Sequence, residues 1–338
     1  MLNRREELID IVKGIGIILV IIGHCNHFFT YESKPIVLIY GFHMPLFIFV
    51  SSILVFLTLD KNISVKDFCY KKCESIMRPY IIGCILSIAI TCMLSGIIPQ
   101  KEYLIGIFMG ETVTGDLSFN LPLWFLPMLF CSNFITYMVL KRTKKIDLKY
   151  IITSVLCGSI GFMAIKTGKF HLWNLDIALL CQVFSLTGIL TYKYIWNKIS
   201  ECKMSAIFIL ILIFLIIYVP VCIYNTRVDL NARRINNLIL FLLNSHLGIG
   251  ISLLIAEVIR RCNFIGSLFV LIGRNSLGIL IWHIPFSSIF YACLVPAMPQ
   301  YVQNFVWGGG GLIIAIIILL IYDLTISIFF NKIILEKN

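Results

Sequence analysis

Residues 9–29 read IDIVKGIGIILVIIGHCNHFF. Between Lys13 and His24 every residue is apolar or glycine, and the run is about as long as a helix needs to cross a bilayer core. It exceeds the roughly 7–15 apolar residues of a cleavable signal core, and no small-residue cleavage site follows it. Lys13 and His24 are eleven positions apart. At 3.6 residues per turn that is within about 20° of three full turns, so both side chains share one helix face, about 16 Å apart along the axis. His27 continues the same face a turn further on.

The rest of the chain repeats this pattern. Of 338 residues, 59% are hydrophobic and 13% charged, with a mean hydropathy of +0.94; soluble domains carry about 25% charged residues. These figures exclude a disordered chain, a secreted disulfide scaffold and an ordinary water-soluble enzyme. Strand-like alternation is absent, so the expected fold is an all-α polytopic membrane protein. Ten apolar runs, at 9–30, 36–59, 79–98, 122–140, 150–166, 174–192, 205–224, 236–258, 268–290 and 306–330, predict about ten transmembrane helices in one domain spanning 1–338. With the N-terminus in the cytoplasm, only Lys34, Lys101, Lys166, Lys169, Arg227, Arg233 and Arg234 of the 28 Lys and Arg fall clearly outside. Both termini are therefore expected to be cytoplasmic, in a multi-pass protein of the cell inner (plasma) membrane. Basic inner loops against anionic lipid account for the net charge of +11, and no nucleic-acid partner is expected. The twelve cysteines form no CxxC pair and read as small apolar filler.

Ionisable residues inside apolar runs carry the functional signal, because burying them in lipid is costly. Counting from the run ends places His24, His43 and His283 at similar depths, so three imidazoles are expected to converge. Pro45 and Pro285 each follow a histidine by two positions, and each frees a backbone carbonyl that needs a partner. His171 and His246 fit the plainer role of struts between helices. No HExxH or supporting carboxylate accompanies the histidines, and no metal is expected. The PLWFLP stretch from Pro122 reads as an interfacial aromatic anchor.

At these residues the sequence resembles the acyltransferase-3 family of integral membrane acyltransferases, and within it the fucose 4-O-acetylase-like branch. The opening pattern stands as Arg4 or Arg5, Asp10, Lys13, Gly14, Gly23 and His24, and the second as FHMPLF at Phe42 to Phe47 followed by Ser51 and Ser52. PLWFLP from Pro122, the Trp173–Asp176 stretch, Asn237 and Gly248, and GRNSLGILIWHIP near the end extend the likeness over nearly the whole chain. One segment departs: before the Pro-Tyr of the third run, KKCESIMRPY keeps Lys71, Lys72 and Arg78 but places Glu74 and Ser75 within the family's basic cluster.

The resemblance implies acetyl-CoA as acyl donor and a saccharide hydroxyl, on a surface polysaccharide or a lipid-linked precursor, as acceptor. Lys13, Lys71, Lys72 and Arg78 are then the expected phosphate-binding cations. His24 is the expected general base or transient acetyl carrier, and His43 is expected to steady the oxyanion or orient the acceptor. Asp10 is expected to pair with a neighbouring cation. Trp124, Asn275 and His283 are candidates for shaping the cavity. Asp229, with Arg233, Arg234, Trp173 and Asp176, supplies polar and aromatic groups suited to a sugar. The alternative reading of the same buried charges is a transporter or flippase of envelope saccharides, which predicts inverted repeats and paired broken helices; neither is visible in the sequence.

Overall fold

The computed structural model describes residues 4–24, 30–61, 63–96, 98–112, 115–143, 146–300, 302–303, 311–330 and 332. Apolar length decides their form: in lipid every backbone polar group needs an internal partner, and a helix supplies it within one segment. Seven helical stretches are long and apolar enough to cross a membrane, and the bent pair at Leu172–Leu180 and Gln182–Tyr194, angled by 52°, makes an eighth. Among the described residues there is no strand beyond an isolated bridge between Asp229 and Arg234. Large apolar side chains stand exposed on the periphery, among them Ile209, Leu212 and Ile216 at 58%, 59% and 63%, as lipid-facing surfaces do.

In chain order the helices used below are α1 (Arg4–Gly23), α2 (Lys34–Tyr40), α3 (His43–Leu57), α4 (Val65–Lys72), α5 (Arg78–Ser95), α6 (Lys101–Met109), α7 (Phe125–Thr143), α8 (Leu148–Lys166), α9 (Leu175–Leu180), α10 (Gln182–Tyr194), α11 (Trp196–Glu201), α12 (Met204–Asn225), α13 (Leu238–Arg260), α14 (Asn263–Arg274), α15 (Ser276–Ile289) and α16 (Gly311–Phe330). The expected run at 268–290 is not one helix. It breaks between α14 and α15 at Asn275, whose Nδ2 donates to the Leu271 carbonyl at 2.8 Å. The run at 36–59 breaks at Gly41 and Phe42, and the run at 174–192 at Cys181. The third span starts earlier than its apolar core suggests: α4 runs through a π-helical turn at Cys73–Met77 into α5.

α1 packs against α14, α13 and α3, and glycine permits the closest of these approaches. A Cβ on Gly273 would fall 1.8 Å from the Asp10 carbonyl oxygen, and one on Gly14 would fall 2.6 Å from that of Phe269. Small residues at such crossings let backbones touch where lipid supplies no hydrophobic drive.

The two prolines have specific protein partners. Pro45 leaves the Gly41 carbonyl without its helical donor, and Ser245 Oγ from α13 donates to it at 2.9 Å. Pro285 does the same to Ile281, and Asn120 Nδ2 donates there at 2.7 Å and to Ser87 Oγ at 2.9 Å. His246 is a strut, bonded through Nδ1 to the Leu242 carbonyl at 2.7 Å and through Nε2 to Thr187 on α10 at 3.1 Å. Asn120 lies in the 3-10 turn Ser118–Trp124. That turn holds Pro122 and Trp124 in the interior, with Trp124 only 6% exposed, which corrects the reading of PLWFLP as an interfacial anchor.

Candidate active site

Three helices, α1, α3 and α15, run along a pair of cavities, and α7 lines one of the two. On α1 the residues involved are Lys13, Ile17, Val20 and His24, a spacing of four, three and four that follows one helical face. Lys13 and Ile17 line a narrow cavity of about 180 Å³; Val20 and His24 line a wide one of about 450 Å³. The wide cavity is of the size that holds small ligands, about 300–1,000 Å³. Met44 of α3 and Leu280 of α15 line both, so the cavities adjoin across these two side chains. The apolar residues between Lys13 and His24 thus make a wall along which the two spaces follow one another.

His24, His43 and His283 gather at the wide end. His24 and His43 line the cavity, while His283, 3% exposed, packs its ring edge on that of His24 with centroids 5.2 Å apart. In each the Nδ1 lies against a backbone carbonyl of the preceding turn: Val20 at 2.8 Å, Ile39 at 2.9 Å, and Leu280 at 2.9 Å. A carbonyl only accepts, so Nδ1 carries the proton and Nε2 keeps its lone pair. This is the tautomer that takes a proton from a hydroxyl. His283 Nε2 is buried without a partner among the described residues, and His283 does not line the cavity.

The four expected phosphate-binding cations divide. Lys13 and Lys72 both line the narrow cavity. Lys13 Nζ pairs with Asp10 at 2.6 Å, and Asp10 also accepts from Arg274 Nε at 3.1 Å, so Asp10 holds the base of α1 to the end of α14. Lys71 and Arg78 are exposed and line neither cavity, and Arg78 donates to Glu74 at 2.8 Å, the acidic residue that interrupts the basic cluster. Asn275 caps the α14–α15 break and lines neither cavity.

Asp229 and Trp124 do line the wide cavity. With them comes Arg227, which the sequence did not single out. Its guanidinium lies between the rings of Tyr31 and Tyr40, 4.7 Å and 4.6 Å from their centroids, and pairs with Asp229. Tyr40 and His43 stand on either side of the α2–α3 break, with ring centroids 4.9 Å apart. The remaining loop residues are spent on structure. Arg233, 6% exposed at its side chain, bonds both oxygens of buried Asp176 at 3.1 and 3.2 Å and Asn174 at 2.9 Å; Arg234 pairs with Glu32, and Trp173 donates to the Phe108 carbonyl. His27 lies outside the described residues.

A base-competent histidine pair in one cavity and two cations in an adjoining one suit transfer of a group from an anionic carrier to a nucleophile. No curated protein and no solved structure matches the chain. The family profile described as acyltransferase domain (Acyl_transf_3) matches residues 7–324, nearly the whole length, and the chain belongs to that acyltransferase family.

Proposed function

We infer that this membrane acyltransferase moves an acetyl group from acetyl-CoA to a hydroxyl of a saccharide, on a cell-surface polysaccharide or its lipid-linked precursor, at the inner membrane. The activity is that of the fucose 4-O-acetylase-like branch that its motifs resemble. The observation that carries this reading is the pair of cavities meeting at Met44 and Leu280, with Lys13 and Lys72 on one and His24 and His43 on the other. The positive-inside bias of the loops supports a cytoplasmic Lys13 end, on the side where acetyl-CoA is made.

On this reading the phosphates of CoA meet Lys13 and Lys72, and the pantetheine arm lies in the narrow cavity with the thioester near Met44 and Leu280. The acceptor enters the wide cavity beside Asp229, Arg227 and Trp124, which offer a carboxylate and an aromatic face to a sugar. A free hydroxyl is a weak nucleophile at neutral pH, so His24 Nε2 accepts its proton as the oxygen attacks the thioester carbonyl. The C–O bond forms and the C–S bond breaks. The thiolate takes up the proton from His24, which returns to its starting tautomer. His43 faces the same space and is placed to donate to the developing oxyanion when protonated or to orient the hydroxyl.

The test compares O-acetyl content of surface polysaccharide, by proton NMR, in strains carrying the wild type, His24→Ala or Lys13→Ala. Acetylation present in the wild type and lost in both variants is expected. Full acetylation with His24→Ala removes the base, and none with the wild type removes the activity.

A further inference from the structure

Asn133 of α7 is 2% exposed and lines the narrow cavity. Ser51 Oγ of α3 donates to its Oδ1 at 2.7 Å, which fixes the orientation of the amide, and its Nδ2 has no hydrogen-bond partner among the described residues. Ser51 lines the same cavity. An unpaired donor buried among apolar side chains is costly, a cost that a ligand acceptor relieves. Around the pair the walls are apolar, including Phe47, Val50 and Leu129. The donor therefore selects for a slim chain with a carbonyl part way along it.

This inference rests on the acetyl-CoA reading and adds a residue to it. Ser51 stands seven positions along α3 from Met44, about 10 Å at the helical rise. The pantetheine arm carries two amides between its sulfur and its nucleotide. In an extended chain the outer amide lies roughly 7–10 Å from the sulfur. We propose that Asn133, held by Ser51, donates its Nδ2–H to an amide carbonyl of the pantetheine arm and so makes the narrow cavity selective for amide-bearing thioester donors. Neither residue takes part in bond making. Asn133 binds the donor, and Ser51 positions Asn133.

The experiment measures the dissociation constant of CoA by calorimetry on the detergent-purified full chain, together with the melting temperature of the ligand-free protein. The variants are Asn133→Leu, which removes the amide, and Asn133→Asp, which keeps shape and the acceptor for Ser51 but removes the donor. Both are expected to weaken CoA binding about tenfold without lowering the ligand-free melting temperature. If the wild type does not bind CoA, the donor reading falls and this proposal with it. If the wild type binds CoA and both variants bind it equally well, the donor reading stands and the role of Asn133 is overturned. Weaker binding accompanied by a lower melting temperature in both variants assigns Asn133 to packing and also overturns it.

Discussion

At the residue scale the decisive feature is which nitrogen of each imidazole is occupied. His24 spends Nδ1 on the Val20 carbonyl of its own helix, so the ring is oriented without help from a carboxylate. Replacing His24 by Ala is expected to lower acetyl transfer about 10²- to 10⁴-fold, the usual worth of a positioned base, with the KM for acetyl-CoA little changed. Lys13→Ala should do the reverse, raising that KM more than it lowers kcat; Lys13→Arg should restore much of the loss, because a guanidinium also pairs with phosphate. Steady-state kinetics on purified protein separate the two patterns, and a pure kcat defect in Lys13→Ala would contradict its assignment to the donor. The alignment of Lys13 with His24 was legible because both sit on one unbroken helix and periodicity alone relates them. Arg227 was not, since its place between Tyr31 and Tyr40 depends on a loop folding over two other segments. Asn133 was hidden for a similar reason: a single amide in an apolar run says nothing of the serine across from it.

At the scale of elements, the fold turns on carbonyls that proline frees and on crossings that glycine opens. The apolar runs were readable as helices because length and hydropathy are local properties. Their breaks were not, because hydropathy continues unchanged through Asn275 and Cys181, where the backbone bends although its hydrogen bonds stay local. Asn120 illustrates the dependence: it bonds the Ile281 carbonyl only because Pro285 has no N–H to offer. Asn120→Leu is expected to destabilise the protein by about 1–2 kcal/mol. In a Pro285→Ala background, where the helix supplies its own donor, the same substitution should cost less. Unfolding of the four proteins in detergent gives the coupling energy, and an equal cost in both backgrounds would show that the bond to Ile281 is not what Asn120 contributes. Glycine at the α1–α14 crossing gives a graded expectation. Gly273→Ala, whose Cβ meets Asp10 at 1.8 Å, should lower the melting temperature more than Gly14→Ala, whose Cβ meets Phe269 at 2.6 Å. Overpacking of this kind costs about 1–3 kcal/mol. Equal effects would mean that the helices separate as rigid bodies whichever glycine is filled.

For the whole molecule, the question is why two cavities are built where one would hold a small ligand. α15 runs along both: Leu277 lines only the narrow cavity, Ile284 only the wide one, and Leu280 between them lines both. The three lie at spacings of three and four, so one helical stripe samples the whole path. If the narrow space takes the donor and the wide space the acceptor, bulk added along that stripe must act differently at each position. Leu277→Trp should weaken CoA binding and raise the KM for acetyl-CoA. Ile284→Trp should leave CoA affinity within about threefold of the wild type, a change of less than 1 kcal/mol, while cutting transfer to the saccharide. Leu280→Trp, at the shared wall, should impair both. The lip of the wide cavity is braced independently, since Arg233 locks the loop to buried Asp176 and Asn174 and the Asp229–Arg234 bridge closes it on itself. Bulk at Ile284 therefore fills space rather than displacing the loop. Calorimetry with CoA and kinetics with both substrates read the three variants in parallel. An identical loss of CoA affinity at positions 277 and 284 would mean that donor and acceptor share one space, and the division of labour between Lys13 and His24 would have to be abandoned.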